Sequence, residues 1–210
     1  MLKIGVLVSG GGTNLQSVID AIESGYIPNS EIVTVVSSKK DAYALERAKK
    51  HGITREYISR KDFETQKDYD CALVDNMKKH GVQLVLLCGF LSILGEFFIK
   101  EFEGRIINIH PALIPSFCGK GYYGLKVHEQ ALNYGVKITG ATVHFVELEP
   151  DAGPIILQKA VEIKEDDTPE TLQKRVMEEA EWVLMPLAVK LYAENRLEIV
   201  DKRVRIKKKE

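Results

Sequence analysis

Asn108 and His110, followed at once by Pro111, are the residues of this chain best suited by type and spacing to acyl chemistry. They sit in Asn108-Ile109-His110-Pro111-Ala112-Leu113-Ile114-Pro115, entered through the run Arg105-Ile106-Ile107. Two residues apart on an extended backbone, the carboxamide and the imidazole point to the same side. Pro111 offers no N–H to a ladder, so the strand should end there and leave both groups at its C-terminal tip. Open α/β sheets place their chemistry at that edge. A neutral amide donor beside a titratable ring suits a carbonyl that gains negative charge and then needs a proton. The plain alternative is a core histidine satisfied by backbone.

A second pattern is Ser9-Gly10-Gly11-Gly12-Thr13-Asn14, between an apolar run and a helical stretch. Glycines there let backbone N–H groups turn toward an anion, and the helix start adds roughly half a positive charge. The pattern is neither a dinucleotide fingerprint, since Leu15 stands at the third glycine position, nor a Walker loop, since no Lys follows. A monophosphate fits better than a triphosphate. The alternative is a tight turn with Thr13 as N-cap. The third element is Asp151 in Glu149-Pro150-Asp151-Ala152-Gly153-Pro154, ordinary turn chemistry by itself. If its loop reaches His110, the carboxylate favours the imidazolium and raises its pKa by roughly 1–3. Of the other histidines, His51, His80 and His128 read as solvent-facing helical residues, and His144, inside an apolar strand, as a hydrogen-bonded structural residue.

Strand-like runs at 2–8, 31–37, 55–58, 82–88 and 105–110 alternate with helical stretches at 14–24, 41–50, 62–80 and 95–102. Near-continuous apolar strands separated by helices predict an α/β fold, an open and mostly parallel twisted sheet with helices on both faces. Two long strands, 136–146 and 154–163, flank the loop 147–153, and one helix is expected from Thr168 to about Glu194. The tail from Lys202 to Lys209 alternates basic and apolar residues, as a solvated strand or a frayed end does. At 210 residues the chain is expected to be one domain, with a phosphate-binding half at 1–110, a second half at 111–200 and a basic tail at 201–210. A net charge of -1 gives no support for nucleic-acid binding, and the apolar N-terminus is too short to span a membrane. Cys71, Cys88 and Cys118 are widely spaced, which argues against zinc or a disulfide framework and for a reduced cytoplasmic protein. No metal is expected.

Three blocks together resemble the phosphoribosylglycinamide formyltransferase family: Ser9-Gly10-Gly11-Gly12-Thr13-Asn14-Leu15-Gln16, Asn108 to Pro115, and Thr139 to Val146 with Asp151 to Ile156. The likeness runs in order from residue 1 to about 200. It implies a Rossmann-like formyltransferase fold with antiparallel strands in the C-terminal half. It also implies transfer of a formyl group from 10-formyltetrahydrofolate to the amine of 5-phosphoribosylglycinamide, with no metal, no nucleic-acid partner, and a monomer or homodimer. Carried over, Gly12, Thr13 and Asn14 would hold the substrate phosphate, and Asn108, His110 and Asp151 would be the catalytic set. Asn108 and Glu181 would contact the ribonucleotide. Gln66, Asn108, the backbone of Leu91, Ser92, Ile93 and Leu94, and the loop 147–151 would meet the folate, making 111–200 the folate-binding and catalytic-loop half.

The chain departs from that family where Ser92 replaces a usual Arg and where Gln66 takes an often basic position, with Lys67 adjacent as a substitute. The segment 116–124 is longer than usual. The late helix carries an apparent one-residue insertion before Glu181, which leaves Glu178 or Glu179 as alternatives for its role. A 10-formyltetrahydrofolate hydrolase shares the Asn, His and Asp set but is expected to carry an extra N-terminal domain. A methionyl-tRNA formyltransferase needs a basic C-terminal RNA-binding domain. A non-catalytic folate or nucleotide binder is the alternative outside enzymes.

Overall fold

The computed structural model describes residues 1–208; Lys209 and Glu210, the end of the expected basic tail, lie outside the described residues. The chain divides into two compact units, the first Met1–Asn108 and the second starting at Ile109. The first unit lays down β1 (Leu2–Val8), α1 (Thr13–Glu23), β2 (Ser30–Ser37), α2 (Tyr43–Lys50), β3 (Thr54–Tyr57), α3 (Gln66–Lys79), β4 (Leu84–Leu87) and α4 (Glu96–Glu101), and begins β5 (Ile106–His110). The pairs β1–β2, β1–β4, β2–β3 and β4–β5 are all parallel. Ile4, Val6, Leu7 and Val8 of β1 and Leu84, Val85 and Leu86 of β4 are fully buried. That is why these strands are apolar throughout rather than alternating: helices cover both faces.

The second unit continues β5 and adds α5 (Leu125–Tyr134), β6 (Ile138–Phe145), β7 (Ile155–Glu162), α6 (Pro169–Val176), α7 (Trp182–Ala193), β8 (Leu197–Val200) and β9 (Arg203–Ile206). Strands β6 and β7 pair antiparallel, as do β8 and β9. The seven-stranded order is β3-β2-β1-β4-β5-β6-β7, the mostly parallel sheet with an antiparallel C-terminal part that the sequence predicts. Because β2 and β4 flank β1 on opposite sides, the order reverses there, and the loops after β1 and β4 leave from the switch point where such sheets bind ligands.

One feature differs from expectation. The single helix expected from Thr168 is interrupted by one π-helical turn, Met177–Glu181, between α6 and α7. A π turn is the local form that absorbs one extra residue without breaking the helix, which matches the apparent insertion before Glu181. The solvated strand expected in the tail is β9, largely exposed, which pairs with β8 in a hairpin whose turn holds Asp201 and Lys202 at positive φ.

Candidate functional site

In the first unit, the chain leaves β1 through Ser9 and turns at Gly10-Gly11-Gly12. Gly12 sits at φ +71°, and a Cβ there would lie 2.6 Å from the Ala44 Cβ and 2.9 Å from its Cα. Conformation and close approach both demand glycine. The Ala44 N–H donates to the Gly10 carbonyl at 3.1 Å, stitching α2 to the turn. Thr13 is not the N-cap: α1 begins at Thr13 itself, Gly12 is the cap, and no side chain closes the helix start. The first turn of α1 carries no acidic residue, so its partial positive charge is left for an anion.

The segment after β4 is tied to the same loops. The Leu91 N–H donates to Ser9 Oγ at 2.8 Å, and Ser9 Oγ lies 2.6 Å from Ser38 Oγ. Leu91 and Ile93 expose half or more of their surface, 51% and 75%, while Leu94 is buried. Gln66 Nε2 donates to the Ile93 carbonyl at 3.1 Å and to Asp70 Oδ1 at 2.7 Å. Asp70, almost fully buried, also accepts the Gly95 N–H at 3.0 Å. It thereby caps α4, whose own N-cap Gly95 has no side chain to do so. Two of the backbone groups expected to meet a pteridine, the Leu91 N–H and the Ile93 carbonyl, are thus already engaged by protein. Lys67 is exposed, and the cation beside Gln66 is instead Arg60, whose Nε donates to Gln66 Oε1 at 3.2 Å.

Asn108 closes the first unit, half-buried on β5, two residues before His110. The strand stops at His110, as Pro111 requires. In the second unit, His110 is 4% exposed. Its Nε2–H donates to the Phe117 carbonyl at 2.8 Å, and its Nδ1 lies 3.6 Å from Asp151 Oδ2. Asp151 stands at φ +56°, a left-handed conformation Asp tolerates better than most residues. Its loop is pinned where Phe145 N–H donates to the Pro154 carbonyl, and a Cβ on Gly153 would lie 1.9 Å from the Phe145 carbonyl oxygen. The Asp151 loop therefore does reach His110.

His144, expected only as a structural residue, is the third member of this cluster. Its Nδ1–H donates to the Phe145 carbonyl at 2.8 Å, and its Nε2 lies 3.6 Å from Asp151 Oδ1. The carboxylate is thus set between two imidazoles, each held at its far nitrogen by a backbone carbonyl. Because a carbonyl only accepts, those far nitrogens carry protons. Burial pushes the Asp151 carboxyl up, yet hydrogen bonding from His144, the charge of His110 and the Gly119 N–H outweigh it and hold the group below the usual carboxylate range.

His110 corrects the expectation that Asp151 keeps it protonated. Burial is the largest influence and pushes its pKa below the ordinary value of 6.5, while Asp151 and the Phe117 carbonyl pull it back only in part. The resting ring is neutral at neutral pH, with its one proton on Nε2.

His128 corrects a second expectation. It is fully buried rather than solvent-facing, and neither ring nitrogen has a hydrogen-bond partner among the described residues. The sequence signal was available: Val127, His128 and Ala131 share one buried face of α5. Burial, reinforced by the charge of His110, takes its pKa from 6.5 to about 4. Between those values the unfolded chain binds a proton that the folded one refuses, so the stabilisation is complete above pH 6.5 and is lost as pH falls toward 4. The expected slope is about 1.4 kcal/mol per pH unit from this ring. Urea unfolding at pH 7 and pH 5 should show that loss, and His128→Leu should flatten it; equal slopes in both proteins would mean the ring is protonated in the fold.

Of the three late-helix carboxylates, only Glu181 is buried, at 7% exposure, while Glu178 and Glu179 are exposed and Glu178 lies 3.8 Å from Lys174. The π turn brings Glu181 to the covered side.

Residues 2–189 match the formyl transferase family model. A phosphoribosylglycinamide formyltransferase of Haemophilus influenzae is 42% identical over 96% of this chain and 92% of its own length. The crystal structure of glycinamide ribonucleotide transformylase 1 from Symbiobacterium toebii superposes with a TM-score of 0.93 at 42% identity, covering 99% of this chain and 95% of that one. The trifunctional purine biosynthetic protein adenosine-3 of Gallus gallus is 42% identical over 94% of this chain, which spans only 19% of that longer protein.

Proposed function

This chain belongs to the formyl transferase family, and on that premise we propose that it moves the formyl group of 10-formyltetrahydrofolate to the amine of 5-phosphoribosylglycinamide in purine biosynthesis. The observation that carries the reading is the cluster His110–Asp151–His144 at the end of an Asn-Ile-His strand. A neutral amide and a neutral imidazole N–H are suited to a developing alkoxide, and no Ser or Cys nucleophile is required.

The amine attacks the formyl carbon, and the carbonyl oxygen takes up negative charge. Asn108 donates an amide N–H to it and His110 donates its Nε2–H. In this structure that Nε2–H is given to the Phe117 carbonyl, so the backbone oxygen marks the acceptor position that the substrate oxygen takes, and the segment 116–124 yields it during turnover. A neutral imidazole serves as electrophile without carrying a charge beforehand. One proton passes from the attacking nitrogen to N10 as the C–N10 bond breaks. Asp151, held ionised, is the group placed to relay it, directly or through a water, and a proton reaching His110 Nδ1 would lie on its Asp151 side. The turn Gly12-Thr13-Asn14 takes the substrate phosphate and Glu181 the ribonucleotide. The exposed faces of Leu91 and Ile93, with the backbone groups of Leu91–Leu94 still available, take the pteridine.

The test is turnover of 10-formyltetrahydrofolate with and without phosphoribosylglycinamide. Amine-dependent release of tetrahydrofolate is the expected result. Amine-independent release would make the protein a hydrolase, and no release would leave it a binder; either outcome ends the proposal.

A further inference from the structure

Sequence reasoning found no cation at the glycine turn, because none follows it in the chain. The fold supplies one from α2. Arg47 Nε donates to the Gly11 carbonyl at 2.8 Å, and its Nη1 donates to Gln16 Oε1 on α1 at 3.1 Å. The guanidinium carbon also lies 5.0 Å from the centre of the Tyr43 ring, a cation–π contact that fixes the side chain from its own helix. One residue earlier in the turn, the Gly10 carbonyl is held by the Ala44 N–H. Two consecutive carbonyls of the turn are therefore drawn toward α2.

A trans peptide points its N–H opposite to its C=O. The peptides Gly10–Gly11 and Gly11–Gly12 are both trans, the cis bond among the described residues being Ile114–Pro115. Drawing both carbonyls toward α2 thus turns the N–H groups of Gly11 and Gly12 away from it, as a pair. Among the described residues neither N–H donates to another protein group. Consecutive N–H groups presented in this way form an anion nest.

We infer that Arg47 is a positioning residue for the substrate phosphate: it fixes the Gly11 peptide so that the nest exists before substrate arrives, and it places a half-buried positive charge behind that nest. The inference rests on the reading of this turn as the phosphate site. Arg47 spends two of its nitrogens on the protein, so its role is to shape the turn rather than to touch the phosphate.

Arg47→Met keeps an unbranched apolar stem, though a shorter one, and removes the donors and the charge. Its KM for phosphoribosylglycinamide should rise by about 10–100-fold, the scale of losing a charge-assisted bond, with kcat and the KM for 10-formyltetrahydrofolate nearly unchanged. The inhibition constant of inorganic phosphate should rise by the same factor. Arg47→Lys restores a charge and one donor direction and should fall between the two. With the dephosphorylated glycinamide riboside as substrate, wild type and Arg47→Met should behave alike. A folded Arg47→Met with unchanged KM and phosphate inhibition overturns the inference while leaving the phosphate site standing. Should that variant not fold, Arg47→Lys with wild-type KM and phosphate inhibition overturns it. A wild-type enzyme indifferent both to inorganic phosphate and to loss of the substrate's phosphate would overturn the phosphate site itself, and the inference with it.

Discussion

Replacing His110 with alanine lowers kcat by about 10²–10³-fold and leaves the KM for either substrate within a few-fold, the cost typical of removing one oxyanion donor. The partition between kcat and KM follows from where the donor acts. Its hydrogen bond strengthens as the formyl oxygen turns into an alkoxide, so its loss is felt in the transition state more than in the bound ground state. Asn108→Ala should show the same signature with a similar magnitude. The double variant should lose less than the product of the two, because both donors serve one oxygen. Steady-state kinetics with both substrates varied checks this. A His110→Ala enzyme with wild-type kcat would remove the imidazole from the chemistry.

Asp151→Asn is the second large effect, a kcat loss of about 10²–10⁴-fold, the range for a positioned proton carrier. The isosteric amide keeps an acceptor for the Gly119 N–H, so the loop and the fold should survive. Two things disappear. The first is the carboxylate that can take the proton from the attacking amine. The second is the attraction that partly offsets burial at His110, so the ring should become still harder to protonate. The wild-type acidic limb, set by a carboxyl held below the usual range, should vanish from the pH–rate profile of the variant. Full activity with an unchanged profile would take Asp151 out of the mechanism.

Much of the site was legible because its signals are local. Three glycines between an apolar strand and a helix mark a turn whose backbone N–H groups are free to face an anion. Asn108 and His110 announce themselves by a two-residue spacing stopped by a proline. Pro150, Asp151 and Gly153 mark a tight turn between two strands. What stayed hidden depends on which distant residues the fold brings together. Nothing near Gly11 in the sequence points to Arg47, 36 positions on, nor does anything near Gly95 point to Asp70. His144 was read from its strand alone, and its neighbour Asp151 appears only once the β6–β7 hairpin is closed. The balance at His110 also could not be read from residue types. Asp151 argues for the imidazolium and burial against it, and only the depth of the ring decides. The π turn was visible as an apparent insertion before Glu181, but not the way the helix would absorb it.

The most direct test of this account is a ¹⁵N-histidine NMR titration of the folded protein, with His110 assigned by its loss in His110→Gln. The account predicts a neutral ring at pH 7, its proton on Nε2, a midpoint below 6.5, and a lower midpoint again in Asp151→Asn. An imidazolium at pH 7, or a midpoint that does not move when Asp151 becomes Asn, would contradict it.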